Sequence, residues 1–356
     1  MLYQTENRHG GDIYGGIALD FSANVSPLGT PRSVTDAIER ALPELYRYPD
    51  PYCRTLVQTI SEYEGVPKNF VLCGNGASEL IYAYCGAVRP KRAMELAPTF
   101  SEYSLALRRT GCEVVRFALK QEENFDLRKD FLPFLAREKI DALFLCNPNN
   151  PTSSVIPRNQ MRDILDYCKK KSITVLVDET YVEFAPDVQA VTAIPLTEYY
   201  NNIIILRGIS KFFAAPGLRL GYAICGNKDL LKEINQKKNP WTINSLAAIA
   251  GEIMFSDEEY IRKTRQLIAS ERERICQAIR SMGAYQVYES NCNFVLVKIK
   301  KEGLTADQIF DTAIRQGLMI RDCSTFPFLN DKYFRLCFMM PEDNDRLLAV
   351  LKKLAD

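Results

Sequence analysis

Between residues 70 and 225 short apolar runs alternate with amphipathic stretches, and few folds accept such an alternation. The runs are Phe70 to Cys73, Ala93 to Leu96, Glu113 to Phe117, Ala142 to Cys146, Ile173 to Val177, Ile203 to Leu206 and Gly221 to Cys225. Each is too short for a buried helix and suits a strand covered on both faces. Between them, Ser78 to Val88, Ser101 to Thr110 and Arg158 to Lys171 carry helical periodicity. The last ends in Lys169, Lys170 and Lys171, where cations oppose the helix dipole favourably. The pattern predicts an α/β fold whose large domain has a mostly parallel central sheet flanked by helices.

After Asn239-Pro240-Trp241 the pattern changes. A long helical stretch around Leu246 to Met282 leads to strands near Phe294 to Ile299, Leu318 to Ile320 and Phe334 to Phe338, with helices around Thr305 to Gln316 and Glu342 to Leu354. This describes a smaller α+β domain, and the strand-like Ile17 to Phe21 before the Pro- and Gly-rich Ser26 to Pro31 is expected to join it. The smaller domain is then built from both termini: residues 32–240 form the large domain, and residues 1–31 with 241–356 form the small one.

Composition narrows the function. Lys+Arg of 45 against Asp+Glu of 44 leaves no global field for nucleic acid or an anionic membrane. No apolar run reaches the ~18 to 20 residues of a membrane span. The 11 cysteines are scattered without a Cys-x-x-Cys pair and read as reduced thiols, so a cytoplasmic location is expected. One histidine, His9, makes a zinc site or a Ser-His-Asp triad untenable, and no metal is expected.

The chemistry gathers at the carboxyl ends of the expected strands, where open α/β sheets bind ligands. Ala142 to Cys146 runs into Asn147-Pro148-Asn149-Asn150-Pro151-Thr152, and Ile173 to Val177 delivers Asp178-Glu179-Thr180-Tyr181. Taken singly, the first is also a structural turn and Asp178 also a solvated or capping carboxylate. Lys211 follows Ser210, and Arg219 stands eight positions later in Gly217-Leu218-Arg219-Leu220-Gly221. That spacing suits an aldehyde cofactor carrying a phosphate: one side chain forms a Schiff base while neighbours hold the anion.

In this order, Asn150, Asp178 with Tyr181, then Lys211 and Arg219, the chain resembles the fold-type I, class II-like enzymes of the aspartate aminotransferase superfamily, users of pyridoxal 5'-phosphate. The resemblance covers nearly the whole length. It implies that Lys211 links covalently to the cofactor and that Asp178 pairs with the ring nitrogen. Asn150 and Tyr181 are implied to hydrogen-bond the ring's phenolic oxygen, and Ser210 and Arg219 to bind the phosphate. Gly74 to Glu79 follows a strand and opens a helix, so the amides of Gly76, Ala77 and Ser78 would face the same phosphate. Phe100 matches the aromatic that stacks on the ring, with an ordinary core phenylalanine as the alternative. Tyr48 matches the tyrosine that reaches the neighbouring subunit's phosphate, which implies a homodimer with shared active sites. One departure stands out: the family usually carries a hydroxyl residue two positions before the lysine, where this chain has Gly208.

Arg321 and Arg335 fall near strands of the small domain, where surface ion pairing is the alternative. The resemblance implies that they bind substrate anions, which suggests a small phosphorylated amino acid. Histidinol-phosphate aminotransferases share the Asn147 to Thr152 and Ser210 to Gly221 segments in similar form. His9-Gly10-Gly11, Asp20 to Gly29 and Pro240 to Ala248 look like the L-threonine-O-3-phosphate decarboxylases of cobalamin biosynthesis. That resemblance implies substrate contacts from His9, Gly10 and Asn24. It leaves open histidinol-phosphate transamination, or decarboxylation of L-serine O-phosphate.

Overall fold

The computed structural model describes residues 19–356. Its strands are β1 (Leu19–Asp20), β2 (Val71–Gly74), β3 (Arg92–Ala97), β4 (Glu113–Ala118), β5 (Ala142–Cys146), β6 (Thr174–Asp178), β7 (Ile203–Gly208), β8 (Gly221–Ile224), β9 (Tyr285–Val287), β10 (Phe294–Ile299), β11 (Leu318–Met319), β12 (Arg321–Asp322) and β13 (Tyr333–Cys337). The helices are α1 (Arg32–Ala41), α2 (Arg54–Glu64), α3 (Gly76–Val88), α4 (Glu102–Arg109), α5 (Phe131–Arg137), α6 (Arg158–Lys170), α7 (Val188–Val191), α8 (Lys228–Asn235), α9 (Ser245–Met254), α10 (Glu258–Ser281), α11 (Ala306–Ile314) and α12 (Pro341–Ala355).

The large sheet runs β2-β8-β7-β6-β5-β3-β4. Strands β3 to β7 are mutually parallel, while β8 runs antiparallel to both β7 and β2. Every residue of β5 and β8 is buried, as expected for strands covered on both faces. Alternate residues serve different layers. Leu176, Ile204 and Leu206 pack with Leu80, Ile81 and Tyr84 of α3 and with Tyr103 of α4. Val175, Val177 and Ile205 join the core on the other side with Met161 and Ile164 of α6.

A four-stranded sheet, β12-β13-β10-β9, comes from the C-terminal part of the chain. In a separate two-stranded sheet, β1 pairs in parallel with β11, Leu19 opposite Leu318, so a segment near residue 20 meets one near residue 320.

The long helical stretch expected from Leu246 to Met282 is two helices. Asp257 lies between them, and its Oδ1 accepts from the Tyr260 N–H at 3.0 Å, capping α10. Its Oδ2 accepts from Ser33 Oγ at 2.6 Å, which ties the break to α1. A side chain satisfying a helix-start donor terminates the pattern that periodicity alone would continue. The expectation also did not name α1, α2 and β9.

The start of α3 lies against the start of β8. A Cβ on Gly221 would come within 2.5 Å of Ala77 N and 2.7 Å of Gly76 C, both backbone atoms. A Cβ on Gly74 would meet Leu80 at 2.6 Å. Glycine at 221 therefore permits the helix to begin where it does. Gly221→Ala should push α3 off the sheet and destabilise the protein by about 1–3 kcal/mol, read as a lower thermal unfolding midpoint of the apoprotein. An unchanged midpoint would contradict this contact.

Candidate active site

The carboxyl ends of β5, β6 and β7 and the first turn of α3 enclose a cavity of about 190 Å³. Lys211, Asp178, Tyr181, Asn150, Ser210, Arg219, Ala77, Ser78 and Phe100, residues far apart in the chain, all line it. Asp178 belongs to the sheet face that carries Leu176, the side covered by α3 and α4, and so does Gly208 by the same two-residue alternation from Leu206. The carboxylate is thereby turned towards α4.

Asp178 is buried. Its Oδ2 accepts from Tyr103 Oη at 2.7 Å, and its Oδ1 accepts from Thr180 N at 3.0 Å and from Thr180 Oγ1. Burial pushes its carboxyl above the usual range, while the Thr180 and Tyr103 donors pull the other way. Among the described residues no Lys or Arg forms an ion pair with it, so the site holds a desolvated carboxylate in want of a cation.

Lys211 Nζ donates to the carbonyl of Ala23 at 2.6 Å, and Ser26 N donates to the Lys211 carbonyl at 2.9 Å. The segment after β1 is thus strapped across the lysine. Burial first, then the nearby charge of Arg335 and of Arg219, lowers the Lys211 ammonium to about 8. Close to neutrality an appreciable fraction of this amine is unprotonated and nucleophilic.

Tyr181 packs edge-on against Phe294 at 5.0 Å, and its hydroxyl accepts from Asn24 Nδ2 at 3.3 Å. Asn24 adopts the left-handed conformation at φ 56°, which asparagine tolerates well. Arg335 is buried; its Nη1 donates to Asn150 Oδ1 and its Nη2 to the Ser22 carbonyl at 2.5 Å. Among the described residues, Arg335 Nε and Asn24 Oδ1 are buried without a hydrogen-bond partner. A second cavity of about 370 Å³ continues from the first and is bordered by Lys211, Arg219, Arg335 and Arg321. Arg321 donates to Thr325 Oγ1 at 3.0 Å and lies over the Phe326 ring.

The residues fit pyridoxal phosphate. An unpaired buried carboxylate matches a protonated ring nitrogen, and a depressed amine matches an aldehyde. Gly76 matches the phosphate end: a Cβ there would strike Arg219 Nη2 at 2.4 Å, so the missing side chain keeps the guanidinium beside the α3 amides. The Asn75 N–H is already taken by Glu79 Oε2 at 2.7 Å, leaving Gly76, Ala77 and Ser78 as the first-turn donors.

Tyr48 is not brought to this cavity. Tyr48 is 85% exposed, tilted against Trp241 at 5.6 Å, and borders a different cavity with Asp50 and Cys53. His9 and Gly10 lie outside the described residues. Sequence reasoning overlooked Tyr103, Thr180 and the Ser22 and Ala23 carbonyls. Thr180 stands two after Asp178, a local turn spacing that was available as a signal, whereas Tyr103, 75 residues from Asp178, left none.

The profile for aminotransferase class I and II matches residues 17–351. The chain belongs to that family. Pyridoxal 5'-phosphate is the family's cofactor. A relative from Caldanaerobacter subterraneus subsp. tengcongensis, named provisionally as a threonine-phosphate decarboxylase, is 36% identical over 97% of this chain and 93% of its own. The threonine-phosphate decarboxylase of Salmonella typhimurium is 34% identical over 94% of this chain and 91% of its own. Among solved structures, the histidinol-phosphate aminotransferase from Clostridium acetobutylicum superposes with a TM-score of 0.88 at 29% identity, covering 95% of this chain and 99% of that one. The expected fold-type I architecture is therefore borne out. All eleven cysteines are free, and no described helix is long and apolar enough to cross a membrane.

Two predictions follow from the electrostatics and the sterics. Capture of pyridoxal phosphate by the apoprotein, followed by visible absorbance, should accelerate as pH is raised through about 8 and level off above, because the attacking form is the neutral amine. A flat profile would remove Lys211 from the role. At Gly208 a Cβ would find only the Leu220 carbonyl, at 3.7 Å. Gly208→Ser should leave the apoprotein's melting unchanged while slowing cofactor loss on dialysis; faster loss would show that the hydroxyl does not reach the phosphate.

Proposed function

We propose that the protein decarboxylates L-threonine O-3-phosphate to (R)-1-aminopropan-2-ol phosphate and CO2, a step of cobalamin biosynthesis. The observation that carries this reading is the pair of guanidinium groups, Arg335 and Arg321, bordering one cavity with Lys211. They suit an amino acid bearing a carboxylate and a phosphate. The names of the Caldanaerobacter and Salmonella relatives support the same choice.

When bound, the cofactor supplies an electron sink for the amino acid's Cα. Lys211 would hold it covalently, Asp178 would face its ring nitrogen, and Asn150 and Tyr181 its phenolic oxygen. Ser210, Arg219 and the amides of Gly76, Ala77 and Ser78 would take its phosphate, and Phe100 would lie against the ring. Arg335, fixed by Ser22 and Asn150, would grip the substrate carboxylate and set which Cα bond stands perpendicular to the ring. Lys211, buried and near its titration point, would then return a proton to Cα. Arg321, with His9 and Gly10, would serve the substrate phosphate, and Asn24 would act through its bond to Tyr181.

The same reading takes residues 32–240 as the cofactor-binding domain and residues 1–31 with 241–356 as the small domain, in a homodimer whose exposed Tyr48 reaches the partner's cofactor phosphate. A cytoplasmic setting goes with it. L-Serine O-phosphate is a neighbouring substrate, since one methyl is worth only about 1 kcal/mol. Histidinol-phosphate transamination is the second reading, favoured by the Clostridium acetobutylicum structure.

A paired assay separates them. Incubation with L-threonine O-3-phosphate should release CO2 without forming glutamate, and Arg321→Ala should raise KM about tenfold or more with a smaller change in kcat. Glutamate formed from histidinol phosphate and 2-oxoglutarate, without CO2 release, would establish the aminotransferase instead.

A further inference from the structure

Asp178 is the only carboxylate among the described residues lining the smaller cavity, and its two oxygens are not equivalent. Oδ1 takes two bonds from its own chain neighbour, the Thr180 N–H and hydroxyl. Oδ2 takes one, from the phenol of Tyr103 at 2.7 Å, across 75 residues of sequence. Tyr103 is fully buried on α4. Its ring meets Phe100 edge-on at 5.6 Å and lies tilted against Phe144 at 5.9 Å, so it has no room to swing away.

A carboxylate oxygen has two in-plane acceptor directions. With one filled from α4, the other is left for a ligand in the cavity. We infer that Tyr103 is a positioning residue whose phenol fixes Asp178 Oδ2 and so aims the carboxylate at the ring nitrogen of the bound cofactor. The inference rests on reading the cavity as the pyridoxal phosphate site. Nothing in the sequence motif itself names Tyr103: the geometry alone brings it to Asp178. Burial favours the neutral acid at this position and the Tyr103 donor opposes it. Without the phenol, a neutral carboxyl would be easier to form, and a neutral carboxyl cannot pair with a protonated ring nitrogen. Because the same α4 turn also abuts Phe100, one helix fixes both the stacking surface and the acid.

The test compares two ligands on the full-length apoprotein by equilibrium titration: pyridoxal phosphate, and its analogue with a C–H in place of the ring nitrogen. The wild type should prefer pyridoxal phosphate. Tyr103→Phe should weaken pyridoxal phosphate binding by about tenfold or more and leave the analogue nearly unaffected. Asp178→Asn should abolish the preference alone, and adding Tyr103→Phe to it should change nothing further. Equal losses for both ligands, no loss, or a Tyr103→Phe protein that fails to fold while Asp178→Asn folds would each assign Tyr103 to packing and overturn the inference. A wild type that binds neither ligand would overturn the cofactor reading together with it.

Discussion

A guanidinium shut away from water among three carboxylates holds the active-site strands in place. Arg207, near the end of β7, reaches Glu179 at 3.0 Å, Glu183 at 2.7 Å and Glu64 at 3.5 Å. Glu183 in turn takes Arg265 of α10 at 2.5 Å, and Glu179 accepts from the Ala193 N–H at 2.6 Å. Glu179 follows Asp178 in sequence, and Arg207 stands four residues before Lys211. The network thus pins the strand ends that carry the acid and the amine, and links them to α2 and α10. Removing one member of a buried, hydrogen-bonded set of this kind typically costs about 3–5 kcal/mol, because the remaining charges are left uncompensated.

Period-two alternation gives that network its use. Asp178 and Glu179 are adjacent acids with opposite fates: the first turns towards α4 and the cavity, the second towards Arg207 behind the sheet. Gly208 and Arg207 divide in the same way. A slip of one residue would exchange the structural and the chemical carboxylate, so the β6–β7 register, with Asp178 opposite Leu206, is a functional requirement as much as a packing one.

Most of the large sheet was legible from residue pattern, since doubly covered strands have to be continuous apolar runs; the expected Ala142 to Cys146 is β5 itself. The α9–α10 break was not legible, because Asp257 reads as one more polar position on a helix until its carboxylate is seen capping Tyr260. Lys211, Asp178 and Arg219 were legible through motif spacing. Tyr103 was not, for its role exists only where α4 crosses the end of β6.

Read alone, the chain determined which residues have the chemistry of a pyridoxal phosphate site, and in what order strand ends would present them. Residue type and local period are properties of neighbours in sequence. Folding decided the rest: the strap of Ser22 to Ser26 over Lys211, the unpaired burial of Asp178, and the seat of Arg335 between Asn150 and Ser22. Those arise from contacts between segments 75 or more residues apart, and desolvation, which sets the charge of an amine or a carboxyl, depends on everything packed around it rather than on what precedes it in the chain.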